Sequence, residues 1–461
     1  MSELSFLPVT TLAALLRARE LSPVELVAAL LARIDRFDPL LKSYITVCHE
    51  SALTAAKAAE KEIAEGRYRG PLHGIPVAHK DISLTKGVRT TAHSKTLRNF
   101  VPSTDATHVS HLAAAGMILL GKTNTTEFAC GDMAEFGYTP NPWDVTRFSG
   151  ASSGGSASAL AAGLAVATTG TDTGGSIRAP AGFCGVVGVK PTFGRVSRCG
   201  VIPLSWTMDH AGPMTRTVAD AALMLTAMSG YDPLDPSSAR EPVPSFAAEL
   251  TPELTEVVIG VPETYFFDNL SAEVAQAVDA ALAQLCELGA QLMPVRLPMA
   301  SELEPIGSLL VGVEAYSQHA ERLRLQAADY GPKARRRIAV GAFFTAAEYQ
   351  QALQLRRLWI AELDGVLQRV DVLVTPTLPF TAFTIATQIE GPPDTSWGTR
   401  HFNLSGHPAM TVPCGVDQQG LPIGLQIVAK AFDEAAMFRV AHAFEQATVW
   451  HRRRPEHLEA T

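Results

Sequence analysis

The chain has little of what marks a disulfide-framed, zinc-binding, membrane-spanning or nucleic-acid-binding protein. Its six cysteines, at 48, 130, 184, 199, 286 and 414, include no C-x-x-C pair, and there is no H-E-x-x-H. Neither a disulfide framework nor a zinc site is indicated, and most of the thiols read as buried side chains. No run approaches the ~18 uninterrupted apolar residues of a spanning helix. The opening M-S-E-L-S-F-L-P-V-T-T-L lacks a basic segment ahead of an apolar one, so a soluble, cytoplasmic protein is the expectation. Lysine plus arginine (38) fall short of aspartate plus glutamate (46), a formal net charge of −8 with no basic block. That balance argues against a nucleic-acid or anionic-membrane surface. The R-R-R runs at 335 to 337 and 452 to 454 read as solvated helix ends.

What the chain does have is concentrated between Ser149 and Arg178, where two serine-bearing glycine clusters, S-G-A-S-S-G-G-S and T-D-T-G-G-S-I-R, flank a run of small apolar residues. Such clusters are ordinarily loops. Glycine, however, lets main-chain N–H groups approach a ligand closely, and such donors beside a serine hydroxyl suit acyl transfer. In the second cluster the N–H groups of Thr173, Gly174, Gly175 and Ser176 can converge on one oxygen. That makes Ser176 the candidate nucleophile and these four residues the candidate oxyanion hole.

A serine hydroxyl needs a base, usually histidine, and no histidine lies near either cluster. The nearest upstream candidate is Lys80 in G-P-L-H-G-I-P-V-A-H-K-D, where Ile75 to Ala78 reads as a strand entering the core. Burial disfavours the ammonium and can lower its pKa by about 3–5, leaving an amine able to accept a proton. Ser152 precedes Ser176 by 24 positions (176 − 152). Its hydroxyl both donates and accepts, so it can relay the proton. The catalytic set implied is Lys80, Ser152 and Ser176. Asp172 and Arg178 flank the loop and read as a pair that holds its shape.

These residues resemble the amidase signature hydrolases, whose members carry a lysine, a relay serine and a nucleophilic serine. Other matching segments are G-K-T-N-T-T-E-F at 121 to 128, N-P-W-D at 141 to 144, G-V-K-P-T-F-G-R at 188 to 195 and D-H-A-G-P-M-T-R at 209 to 216. N-L-S-G-H-P-A-M-T-V-P-C-G and L-P-I-G-L-Q-I-V continue the match towards the end. The resemblance implies an α/β fold: a single α/β/α domain with a mixed twisted sheet of about eleven strands covered by helices on both faces. It also implies a cis bond between Ala151 and Ser152, and a pocket whose acyl side is lined by Ala129, Cys130 and Gly131. No metal or cofactor is implied. The sequence differs from the usual pattern at Ala151, commonly glycine, and at His79, commonly aliphatic.

Two other patterns fail on context. G-M-I-L-L-G-K-T at 116 to 123 fits a phosphate-binding loop, but Met117 to Leu120 is apolar and reads as a strand. G-A-S-S-G at 150 to 154 fits the G-x-S-x-G elbow, yet no buried strand is read before it.

Ser22-Pro23-Val24-Glu25 is a capping box with proline at the first helical position. Residues 1–70 read as a helical N-terminal region, 71–230 as the core that carries the site, 231–255 as an exposed connection, and 256–461 as the rest of the sheet and the pocket loops. Strands are read at Met117 to Leu120, Val186 to Val189, Val257 to Val261, Gln291 to Val295, Val372 to Val374, Met410 to Val412 and Ile423 to Val428. Long helices are read at about 272–288 and 346–368. Segments 129–139 and 376–402 suit loops over a pocket.

The leading expectation is a free-standing amidase acting on a small-molecule amide, with anilides, carbamates and esters as related substrates. The look of 129–139 inclines it towards neutral ones. A second is the glutamine-hydrolysing A subunit of a tRNA-dependent amidotransferase. Members with that role carry an acidic residue before N-L-x-G-x-P, where this chain has Ser396 with Asp394 displaced. A third, a catalytically idle scaffold, is disfavoured by the complete triad. No nucleic-acid or membrane partner is expected, and a homo-oligomer is left open.

Overall fold

The capping box at Ser22 forms as read: Ser22 Oγ accepts from Val24 N, Glu25 accepts from Ser22 N, and Pro23 opens the helix Pro23–Leu41. It lies between helices Val9–Ala18 and His49–Ala64 in the computed structural model, which describes residues 3–458. The strands are β1 (Tyr44–Val47), β2 (Pro76–Lys80), β3 (Ile118–Thr123), β4 (Pro140–Asn141), β5 (Asp144–Phe148), β6 (Ala167–Asp172) and β7 (Val187–Lys190). They continue with β8 (His210–Thr215), β9 (Val258–Pro262), β10 (Gln291–Val295), β11 (Val372–Pro376), β12 (Ala409–Val416) and β13 (Pro422–Ala429). Eleven of them make one sheet in the order β1-β3-β2-β6-β8-β7-β12-β13-β11-β9-β10. Parallel pairing joins β2 to β3 and β6, and β9 to β10 and β11, while the other neighbours are antiparallel, so the sheet is mixed as expected.

Alternation along the central strands divides the core between two faces. Met214 of β8 packs with Ala157, Leu160, Ile177 and Ala181, from the region of helices Gly154–Ala161 and Arg178–Cys184. Ala211 of the same strand belongs to the larger cluster with Val187, Val189 and Met410. A further cluster surrounds the fully buried Trp359 of helix Ala346–Leu367, beside helix Leu303–Gln326.

Several elements differ from the sequence reading. Tyr44–Val47 interrupts the helical N-terminal region and pairs antiparallel with β3 at the sheet edge. The segment before Gly150 does contain a strand, β5, but it belongs to a two-stranded ribbon with β4 and is mostly half-exposed. The nucleophile-elbow context is therefore absent. Gly121 and Lys122 lie inside β3, not in a phosphate loop. The buried Lys122 ammonium is spent on Ser83 O, Thr85 Oγ1 and Thr90 Oγ1. Within 231–255, Leu234 is exposed, but Phe246 and Leu254 are buried in the main core. Asp235 also pairs with Arg198 at 3.0 Å, so this connection is lashed to the body of the protein.

Among the described residues, no helix is long and apolar enough to cross a membrane.

Candidate active site

β2 ends at Lys80 and β6 at Asp172, and the two run side by side in parallel, with Ala78 opposite Thr168 and His79 opposite Thr169. Their carboxyl ends bring the lysine and the second glycine cluster to the same edge of the sheet, where open α/β sheets commonly bind ligands. Lys80 is fully buried. Its Nζ lies 2.7 Å from Ser152 Oγ and 2.8 Å from Thr171 Oγ1, with Thr171 O at 3.4 Å. Burial pushes its pKa down to about 7, against the opposing pull of the Asp172 and Asp209 carboxylates. A neutral amine there donates to Thr171 and turns its lone pair to the Ser152 hydroxyl. Thr171 went unrecognised in the sequence because its T-T-G-T-D run has no apolar signal of a strand.

The Ala151–Ser152 peptide bond is cis. Ser153 N donates to Ser176 O at 3.1 Å, tying the two serine clusters together. Ser152 and Ser176 both line a cavity of about 580 Å³, with Thr173 and Gly174 beside them.

The Ser176 loop is moulded around one carboxylate. Asp172 accepts from the N–H groups of Gly175 (2.8 Å) and Ile177 (3.1 Å), and from Arg178 Nε (3.0 Å) and Nη2 (2.8 Å). Both members of the ion pair are fully buried, and the Arg178 guanidinium holds the Asp172 carboxyl well below the usual carboxylate range. Because Gly175 N–H is committed to Asp172, it does not point to a shared oxyanion site. The N–H groups of Thr173, Gly174 and Ser176 remain as candidates. Arg178 also donates to Thr399 O, Asn403 Oδ1 and Gln426 Oε1, all at 2.7–2.8 Å. Asn403 and Gln426 lie in N-L-S-G-H-P and G-L-Q-I-V, matched earlier as motifs without a role.

Thr173 Oγ1 donates to Asp209 at 2.6 Å, which fastens the start of the loop to D-H-A-G-P-M-T-R.

Ala129, Cys130 and Gly131 line the cavity, and burial pushes the Cys130 thiol up to about 12, out of nucleophilic range. The helices that complete the cavity were not foreseen, whereas 388–400 falls in the 376–402 segment read as a pocket loop. Helix Leu303–Gln326 contributes Ser308, Val311, Gly312 and Ala315, and 388–400 contributes Asp394, Ser396 and Arg400. Helix Pro332–Ala339 contributes Lys333, Arg336 and Arg337, so the R-R-R run at 335 to 337 is more than a solvated helix end. Arg337 Nη1 donates to Cys130 O at 3.1 Å, clamping the 129–131 loop. These cations come from parts of the chain far from 129–139, the segment on which the expectation of neutral substrates rested. The run at 452 to 454 is exposed as read.

A mixed α/β sheet that sets a buried lysine against a serine, at the edge of a cavity with a second serine on a glycine loop, has the form of a serine-based C–N hydrolase. The chain belongs to the amidase family: the family model described as Amidase matches residues 25–438. The A chain of the glutamyl-tRNA(Gln) amidotransferase of Chloroflexus aggregans is 41% identical over 99% of this chain and 99% of its own. Among solved structures, native peptide amidase from Stenotrophomonas maltophilia matches with TM-score 0.86 and 33% identity over 97% of each chain. A component of a vestigial protein complex, reported as revealing the origins of an s-triazine catabolic enzyme, matches with TM-score 0.91 and 32% identity. It covers 95% of this chain and 98% of its own.

Proposed function

We propose that this protein hydrolyses the C–N bond of a small linear amide through an acyl-enzyme on Ser176. The observation that carries the reading is the buried Lys80 amine, 2.7 Å from the Oγ of Ser152, which lines the same cavity as Ser176. Ser176 Oγ attacks the carbonyl carbon while its proton passes through Ser152 to Lys80. The same relay returns a proton to the leaving nitrogen as the C–N bond breaks, and water then attacks the ester to restore the serine. Negative charge on the carbonyl oxygen is met by the loop N–H groups of Thr173, Gly174 and Ser176. No step calls on a cofactor.

Two settings share this chemistry. Similarity to the A chain of an amidotransferase over nearly the whole length favours the glutamine-hydrolysing role over the free-standing amidase put first on sequence grounds. Asp394, displaced in sequence, also lines the cavity and can meet an ammonium group. Ser396, in the place of an acidic residue, favours the free-standing form. Release of ammonia or aniline by wild type and Ser176→Ala, against glutamine, aliphatic amides, anilides and carbamates, separates them. Turnover lost in Ser176→Ala establishes the nucleophile. Glutamine hydrolysis that needs added partner subunits selects the amidotransferase setting. A folded wild type that neither turns over substrate nor reacts with a fluorophosphonate would instead support the scaffold reading.

The loop makes its own prediction. Gly175 has φ +117°, and a Cβ there would stand 2.2 Å from Thr399 Oγ1. Gly175→Ala is therefore expected to lower kcat by at least about 100-fold, the scale of losing a preorganised donor set. The circular dichroism spectrum should be unchanged. Wild-type kcat in that variant would show that the loop tolerates a rebuilt backbone.

A further inference from the structure

Arg400 stands in the cavity wall beside the nucleophile loop. It is only 8% exposed, and it lines the same cavity as Ser152, Gly174 and Ser176. It lies so close to the loop that a Cβ on Gly174 would meet its Nε at 3.2 Å. Its Nη1 donates to Glu304 Oε1 and, at 2.9 Å, to Ser308 Oγ. Its Nε has no hydrogen-bond partner among the described residues. A guanidinium offers five donors in a planar fork, and one carboxylate plus one hydroxyl on Nη1 leave most of that fork unanswered. Leaving a buried charged donor unmade is costly, and an entering anion removes the cost.

The rest of the cavity points the same way. Lys333, Arg336 and Arg337 also line it, so the cavity attracts negative charge. The lining carboxylate, Asp394, has its Oδ1 occupied by Ser396 N at 2.8 Å and Ser396 Oγ at 2.6 Å. Glu304 is the internal counter-ion of Arg400.

We infer that Arg400 reads a carboxylate carried by the substrate on the side next to Gly174, so that the preferred substrates are acid-bearing amides such as half-amides of dicarboxylic acids. Arg400 is then a specificity-determining residue, and the assignment of its ligand as a substrate rests on the amide-hydrolase reading above. Arginine matches a carboxylate with two parallel hydrogen bonds, which a neutral carboxamide cannot reproduce.

Succinate, the product of such a half-amide, is the probe for binding. Titrated calorimetrically into the Ser176→Ala protein, it should bind saturably. Arg400→Met should weaken that binding at least about tenfold, the range for a hydrogen bond to a charged group. Glu304→Gln, by removing the internal competitor, should tighten it. In the active enzyme, the ratio of kcat/KM for succinamate over succinamide should exceed one and fall by a similar factor in Arg400→Met. Since that variant leaves Glu304 without its partner, Arg400→Met/Glu304→Gln repeats both measurements with neither charge present, and its melting midpoint reports the fold. Absence of saturable succinate binding overturns the inference, as does binding and selectivity unchanged in both Arg400 variants. Loss on Arg336→Met in place of Arg400→Met also overturns it, by moving the anion site to the rim. Failure of the amide-hydrolase reading is seen separately, as amide turnover that survives Ser176→Ala whatever succinate does.

Discussion

Lys80→Met should lower kcat/KM for amide hydrolysis by about 100- to 10,000-fold, the contribution of a positioned general base. It should also abolish the acidic limb of the pH profile. Methionine keeps the length and apolar stem of lysine but cannot take the Ser152 proton. The lysine works as a base only when neutral, and its burial holds its pKa near 7 instead of the ordinary 10.5. The sign follows. Below about pH 7 the amine is protonated and unable to accept, so wild-type kcat/KM should fall about tenfold per pH unit as the medium is acidified. Above that value it should reach a plateau. Rates of wild type and variant measured from about pH 5 to 9 check both points. A wild-type profile flat through neutrality, or a Lys80→Met enzyme with undiminished rate, would remove lysine from the mechanism.

The second large effect is expected in stability. Arg178→Leu leaves the Asp172 carboxylate fully buried with its guanidinium partner gone, and breaking a buried pair from one side costs about 3–5 kcal/mol. Asn403 Nδ2 still donates to Asp172 Oδ1 at 2.8 Å, and the loop N–H groups remain, so the loss belongs at the lower end of that range. It should appear as a lowered urea midpoint with an unchanged m-value. Adding Asp172→Asn removes the stranded charge, and the double variant should be less destabilised than the sum of the singles. Strict additivity would mean that the two groups are not coupled. Both variants should lose turnover, because the carboxylate that shapes Gly175 and Ile177 is altered or unsupported.

The parts of the fold visible in the sequence were those built from strong local signals. β-branched runs at Val258–Pro262, Val372–Pro376 and Pro422–Ala429 became strands within a residue or two of their reading. The capping box at Ser22 began a helix. The glycine loops and Lys80 stood out because their residue types are unusual for ordinary cores. β6 and β8 did not stand out. A-T-T-G-T-D and H-A-G-P-M-T carry polar and breaker residues through the sheet centre, and tertiary partners outweigh those local preferences. His79 Nδ1 lies 3.1 Å from Thr169 Oγ1, and Ser156 Oγ donates to Thr169 O.

Within the candidate site, the approach of Lys80 to Ser152 and the lining by 129–131 were readable from motifs. The direction of the Gly175 N–H was not, since it depends on one loop dihedral angle. The cationic wall was hidden for another reason. Arg336 and Arg337 reach the cavity from a helix remote in the chain, and a charged residue on a short helix looks like surface until its neighbours are known, whereas Arg400 lies in the 376–402 segment read as a pocket loop.

Arg178 draws on Thr399, Asn403 and Gln426, more than 220 positions downstream, to hold a loop whose Ser176 lies only 27 positions (176 − 149) after Ser149 begins the first cluster. A nascent chain therefore carries Ser176 long before it carries the groups that shape the loop around it. Such distant pairings form late, because their loop-closure entropy is met only when both ends are present. Under the proposed mechanism, competence arrives only with the last strands of the sheet, so an incomplete or misassembled chain is expected to be silent.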